Sequence, residues 1–160
     1  MSSGELLWWV LFILWNLLLA ASDWRRRKVP NVLVVAAACL QILWAGAAAL
    51  GMGWQYPPMW PGWLMALAGF LMALIFLPLW MLRIMGAGDV KVIGVYGLIL
   101  GPAHLLVVLA IGSLVAGLHA ILYLQVSRWW AISPRLRQVP YAAYLAIGAL
   151  SMVSMLWNSP

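Results

Sequence analysis

Hydrophobic positions in this chain come in long blocks, separated by short breaks that carry charge, glycine or proline. The blocks predict helices near residues 6–22, 31–50, 62–82, 90–100, 103–126 and 139–157. A helix needs about 20 apolar residues to cross roughly 30 Å of hydrocarbon, and several of these stretches meet or approach that length without an internal charge. The fourth is the exception, since about 11 residues at 1.5 Å each reach only ~16 Å. It is expected to be short and sheltered by its neighbours. Gly101-Pro102 separates it from the fifth as a turn; read as a mere kink, it would leave five crossings instead of six. No solenoid-like repeat, low-complexity tract or soluble domain is visible, so residues 1–160 read as one membrane-embedded domain.

Composition supports the bilayer. With 67% hydrophobic and 8% charged residues, the chain has too little polar surface to cover a soluble globule. Cys39 is the only cysteine, which rules out an intrachain disulfide or a cysteine zinc site. The first block is expected to be a retained anchor. Ala20-Ala21-Ser22 resembles a processing site, but the preceding segment carries Glu5 and no Lys or Arg.

Charge then orients the helices. Arg25, Arg26, Arg27 and Lys28 follow the first block, Arg83 and Lys91 flank the third gap, and Arg128, Arg135 and Arg137 fill the fifth. With six crossings all nine basic residues fall on one side, which the positive-inside rule makes cytoplasmic. Both termini and the charge-free segment from Gly51 to Pro61 then lie outside. The tryptophans agree, because Trp collects at membrane interfaces. Trp24, Trp80, Trp129 and Trp130 fall at predicted inner ends, Trp8, Trp9, Trp54, Trp60, Trp63 and Trp157 at outer ends, and Trp15 and Trp44 deeper. The basic face reads as topology and attraction to anionic lipid, with no nucleic-acid partner expected.

Only three acidic residues occur: Glu5 near the outer start, Asp23 at the end of the first helix and Asp89 at the start of the fourth. Carboxylates at membrane depth are costly and tend to be functional, so two at one depth form a candidate pair. The structural alternative is a pair of interfacial carboxylates bridged to nearby Arg and Lys. Asp89 ends Met85-Gly86-Ala87-Gly88-Asp89, whose glycines permit close approaches that a Cβ would block, and a flexible or sharply turned strand-like segment beside a substrate backbone is expected there. Asp23 opens Asp23-Trp24-Arg25-Arg26-Arg27-Lys28-Val29-Pro30-Asn31, where Pro30 keeps Val29 out of the helix and, with Asn31, starts the next one.

An Asp followed by a basic run and Val-Pro-Asn, then Gly-Ala-Gly-Asp-Val-Lys two helices later, resembles the type IV prepilin leader peptidases, which are GxGD aspartic peptidases. The likeness continues into Pro140-Tyr141 through Gly148 and covers nearly the whole chain. It implies an all-α polytopic membrane protein of the bacterial cytoplasmic membrane, with Asp23 and Asp89 catalytic and Gly86 and Gly88 as motif glycines. Lys28, Pro30 and Asn31 fall in the matching element. Lys91 and Arg25, nearest the aspartates, are candidates for tuning the pair or gripping a substrate carboxylate. Longer members carry a cysteine-paired cytoplasmic insertion and also N-methylate the new pilin. The absence of that insertion resembles the short form of tight-adherence (Flp-type) pili, implying leader cleavage from a prepilin or pseudopilin without methyl transfer.

Amide hydrolysis by two carboxylates needs one ionised and one protonated. Two of them about 3 Å apart share a proton and supply both roles. The helix dipoles favour charge on Asp89, at a helix N-terminus and near Lys91, over Asp23, at a helix C-terminus, which makes Asp89 the base and Asp23 the acid unless the basic run from Arg25 to Lys28 reverses the order. No cofactor or metal is expected, since two carboxylates without a nearby His give too few ligands. His104, His119, Asn16 and Gln41 read as helix-packing groups, with Asn16 also a candidate to line the cavity. The competing classes are an ion- or proton-coupled transporter and an inactive pilus-assembly scaffold. Transport sites usually lie near the midplane, whereas both aspartates lie at one edge.

Overall fold

The computed structural model describes residues 2–52, 62–129 and 139–157, with side chains to Ser154. The segments 53–61 and 130–138, with Trp54, Trp60, Trp130, Arg135 and Arg137, lie outside the described residues. The described chain is helical throughout, without a strand: α1 (Ser3–Arg26), α2 (Asn31–Ala49), α3 (Gly62–Met81), α4 (Ala87–Ser127) and α5 (Tyr141–Trp157). The first four are long and apolar enough to cross a bilayer, and α5 is a shorter apolar helix.

Each boundary has a local cause. Ser2 and Glu5 form a reciprocal capping box at the start of α1: the Glu5 amide donates to Ser2 Oγ at 3.2 Å and the Ser2 amide to Glu5 Oε2 at 3.0 Å. That gives the third acidic residue a structural role. At its other end α1 stops where Arg27 turns left-handed (φ 53°) and its amide donates to the Asp23 carbonyl at 2.8 Å. Within α3, residues Ala73–Phe76 tighten to a 3-10 turn just before Pro78, which lacks an amide and crowds the carbonyl four residues back.

The fourth and fifth predicted helices are contained in α4, which is helical except at Gly101 (φ 72°, ψ 178°). Only glycine adopts that conformation readily, and Pro102, with its fixed φ, starts the second arm. The break reverses the chain. A straight helix would put Ser113 ~36 Å from Asp89, yet Tyr141, which lines one cavity with Asp89, has its hydroxyl 2.9 Å from Ser113 Oγ. Arms 87–100 and 102–127 therefore form a hairpin, a turn and not a kink. His104 Nδ1 lies 3.2 Å from the Leu100 carbonyl, a group that the break leaves without its helical partner.

The first arm is the centre of the molecule. It begins three residues earlier than expected and spans about 14 residues, ~21 Å, short of a bilayer. Val92, Ile93, Val95, Tyr96 and Leu100 are all but fully buried. Its neighbours shelter it, as its length requires. Gly97 and Gly69 of α3 meet backbone to backbone, so a Cβ on either would overlap the other's carbonyl. The second arm packs on α5 in the same way, with Gly148 placed so that a Cβ would sit 2.7 Å from the Val108 carbonyl.

Candidate active site

The end of α1, the start of α4 and the start of α5 converge on a cavity of about 360 Å³ lined by Asp23, Arg27, Lys28, Val29, Gly86, Ala87, Gly88, Asp89, Val139 and Tyr141. Both aspartates face it. Asp23 is 6% exposed and Asp89 half-buried, and their carboxylates are close enough to interact electrostatically. Residues 66 apart in sequence thus form one site, because α1 runs toward this end and α4 departs from it.

Backbone geometry fixes each carboxylate. Asp89 is the third residue of α4 and accepts a hydrogen bond from the amide of Gly86, the residue that caps the helix. A Cβ on Gly86 would lie 3.0 Å from Asp89 Oδ2, and one on Gly88 would lie 3.1 Å from Val29 Cβ. The motif glycines therefore serve close approach, since neither has a positive φ. The segment beside Asp89 is the first turn of a helix and not a strand-like loop.

Asp23 is held by α5. The Ala143 amide donates to Asp23 Oδ2 at 3.0 Å, and the Ala142 amide reaches both Asp23 and Asp89. Free amides at a helix N-terminus favour anionic groups, and Pro140 sets this one up immediately before Tyr141. The dipole contrast expected from α1 and α4 alone disappears, because each carboxylate now sits on a helix N-terminus: Asp89 on that of α4, Asp23 on that of α5.

Among the other expected residues, Lys28 lines the cavity. Lys91 turns away, its Nζ donating to Asn31 Oδ1 at 2.9 Å and tying α4 to the start of α2. Pro30 caps α2. Arg25 is exposed and does not line the cavity. The arginine that does is Arg27, which interacts with Asp23 and lies 5.7 Å over the Trp24 ring. Asn16 is buried in the helix packing and lines no part of the cavity. His119 pairs with the Tyr144 hydroxyl.

Sequence reasoning passed over Arg27, Tyr141 and the amides of Ala142 and Ala143. Pro140 was the available signal for the amides, as a helix start at the depth of both aspartates. Nothing in the run Arg25-Arg26-Arg27 marks its third member, since the left-handed turn selects it. Among the described residues no three His, Cys, Asp or Glu side chains come together as a metal site.

An apolar helix bundle here gathers two carboxylates at one end, on helix N-termini and beside basic residues. Residues 10–121 match the type IV leader peptidase family, and the chain belongs to that family. The match takes in Asp23, Asp89, the first arm of α4 and the second as far as residue 121, but ends before α5, whose Ala143 amide holds Asp23. No curated protein and no solved structure matches this chain.

Proposed function

We propose that this protein is an aspartic endopeptidase in which Asp23 and Asp89 together cleave the cytoplasmic leader from Flp-type prepilins or pseudopilins. The observation that carries the reading is the shared cavity that both carboxylates line, with the Ala143 amide donating to Asp23 Oδ2 at 3.0 Å. One carboxylate takes a proton from water while the other, protonated, donates to the scissile carbonyl oxygen. The water oxygen bonds to the carbonyl carbon. A proton then passes to the amide nitrogen, the C–N bond breaks, and the pair returns to its singly protonated state. That single proton belongs to the pair, so no fixed order between the two is assigned.

Topology supports the substrate. The described basic residues nearest the aspartates, Arg25 to Lys28, mark this end of the bundle as cytoplasmic under the positive-inside rule. Six helical arms, the first arm of α4 being the short one sheltered by its neighbours, then alternate in direction across the bacterial inner membrane with both termini outside. A pilin precursor anchored by its own helix presents its leader junction at that boundary, and depth selects the bond. No cysteine-paired insertion interrupts the chain, in keeping with cleavage without methyl transfer.

The test is a purified protein incubated with an Flp-type prepilin in detergent or proteoliposomes. Asp23→Asn and Asp89→Asn are each expected to lower the processing rate by about 10³-fold or more, and the wild-type rate to be unaffected by EDTA. Undiminished cleavage by either variant refutes the dyad. Mass spectrometry of the mature pilin, with a methyl donor supplied, is expected to find an unmodified amino terminus; a methylated one refutes that part.

A further inference from the structure

Asn16 of α1 and Tyr96 of the first α4 arm are both completely buried, yet both are polar. The Tyr96 hydroxyl donates to Asn16 Oδ1, and the Asn16 amide nitrogen donates to the Phe12 carbonyl at 2.8 Å, which fixes which end of the amide faces Tyr96. The Tyr96 ring is held in turn by an edge contact with Trp15, ring centroids 5.1 Å apart, and Trp15 Nε1 donates to the Leu33 carbonyl of α2 at 2.9 Å.

The positions of these two residues match those of the aspartates. Asn16 precedes Asp23 by seven residues and Tyr96 follows Asp89 by seven. Seven residues are two helical turns, ~10.5 Å of rise, and return to nearly the same face of the helix. Because α1 runs toward the cavity and α4 away from it, a bond that levels Asn16 with Tyr96 also levels Asp23 with Asp89. We infer that the Asn16–Tyr96 hydrogen bond is a register lock: two positioning residues that set the relative height of the two carboxylates without touching the cavity or the substrate.

The other contacts of these helices do not set this height alone. The first arm is fixed against α3 by the Gly69–Gly97 backbone contact and α1 against α5 by the Ala143–Asp23 hydrogen bond, whereas α1 and the arm meet directly through the Tyr96 side chain. Apolar side chains between two helices tolerate sliding, because dispersion has little direction. A hydrogen bond between buried groups does not, since any slip leaves a hydroxyl and an amide unpaired where no water replaces them.

The inference rests on the reading of Asp23 and Asp89 as a working pair, and its test separates the two. Tyr96→Phe keeps the ring and its Trp15 contact and removes only the hydroxyl; Asn16→Leu removes the acceptor. Each is expected to lower kcat for prepilin by about 10- to 100-fold, with KM within about twofold, and the double variant to be no slower than the slower single one, because both remove the same bond. A second readout needs no activity. Nitroxide labels at Arg26→Cys and Ala87→Cys, in a Cys39→Ser background, are expected to give one narrow distance distribution, which Tyr96→Phe shifts or broadens. A Tyr96→Phe protein with wild-type kcat and an unchanged label distance overturns the lock while leaving the dyad intact. Full cleavage by Asp23→Asn or Asp89→Asn overturns the pair, and the lock with it.

Discussion

The first arm of α4 meets α3 and α1 by opposite means. Toward α3 it presents Gly94 and Gly97, and the contact is backbone against backbone, with no side chain at Gly69 or Gly97 to rearrange. Toward α1 it presents Tyr96 and, two turns below, Asp89, so the contact is made by polar side chains whose atoms must pair or share a proton. One face anchors the arm and the other carries chemistry. The difference teaches where each kind of substitution should do damage: volume on the α3 side, hydrogen-bonding capacity on the α1 side.

The largest stability effect is expected at the anchor. Gly97→Ala puts a Cβ onto the Gly69 carbonyl, and overpacking of this kind typically costs about 1–3 kcal/mol, sometimes more. Thermal unfolding in detergent should show a clear fall in midpoint, or no folded protein at all. Gly117→Ala, in the second arm with nothing within 4 Å of its added Cβ, should gain up to about 1 kcal/mol. Equal midpoints for the two variants would break the distinction between an anchoring face and a free one.

Next is a change that acts on chemistry and spares the fold. Gly86→Ala sets a methyl group 3.0 Å from Asp89 Oδ2 and must move the carboxylate. Processing should slow by about tenfold, with the unfolding midpoint nearly unchanged. A fall in midpoint as large as that of Gly97→Ala would make Gly86 a packing glycine instead. The smallest effect is expected at Lys91→Met, which removes only an exposed bond to Asn31. Stability should change by no more than about 0.5 kcal/mol, with prepilin turnover close to wild type. A loss of turnover approaching that of Asp89→Asn would return Lys91 to the site.

A pair of cavities along α1 makes a related point. One, about 210 Å³ and lined by Trp8, Phe12, Trp15, Trp44 and other apolar groups between α1 and α2, is the kind of hollow that attracts attention as a ligand site. The other, at the end of the same helix, holds the aspartates. In a bilayer apolar lining is the ordinary surface, and the informative feature is the rare carboxylate.

Much of this was readable in the residues. Blocks of apolar residues determined the helices, because unpaired backbone is too costly in hydrocarbon for any other local structure. Gly101-Pro102 marked the reversal, and the scarcity of acids singled out Asp23 and Asp89. Spacing also required the fourth segment to be short. What the order of residues did not contain was the set of partners. Arg27 enters the cavity through a left-handed turn that neither Arg25 nor Arg26 adopts, and Lys91 leaves it for Asn31, 60 residues away. The Ala142 and Ala143 amides are invisible in side-chain chemistry, because every residue but proline has one. Local sequence determines which groups a segment carries and where a helix must start or stop; only the packing of helices distant in sequence decides which of those groups meet.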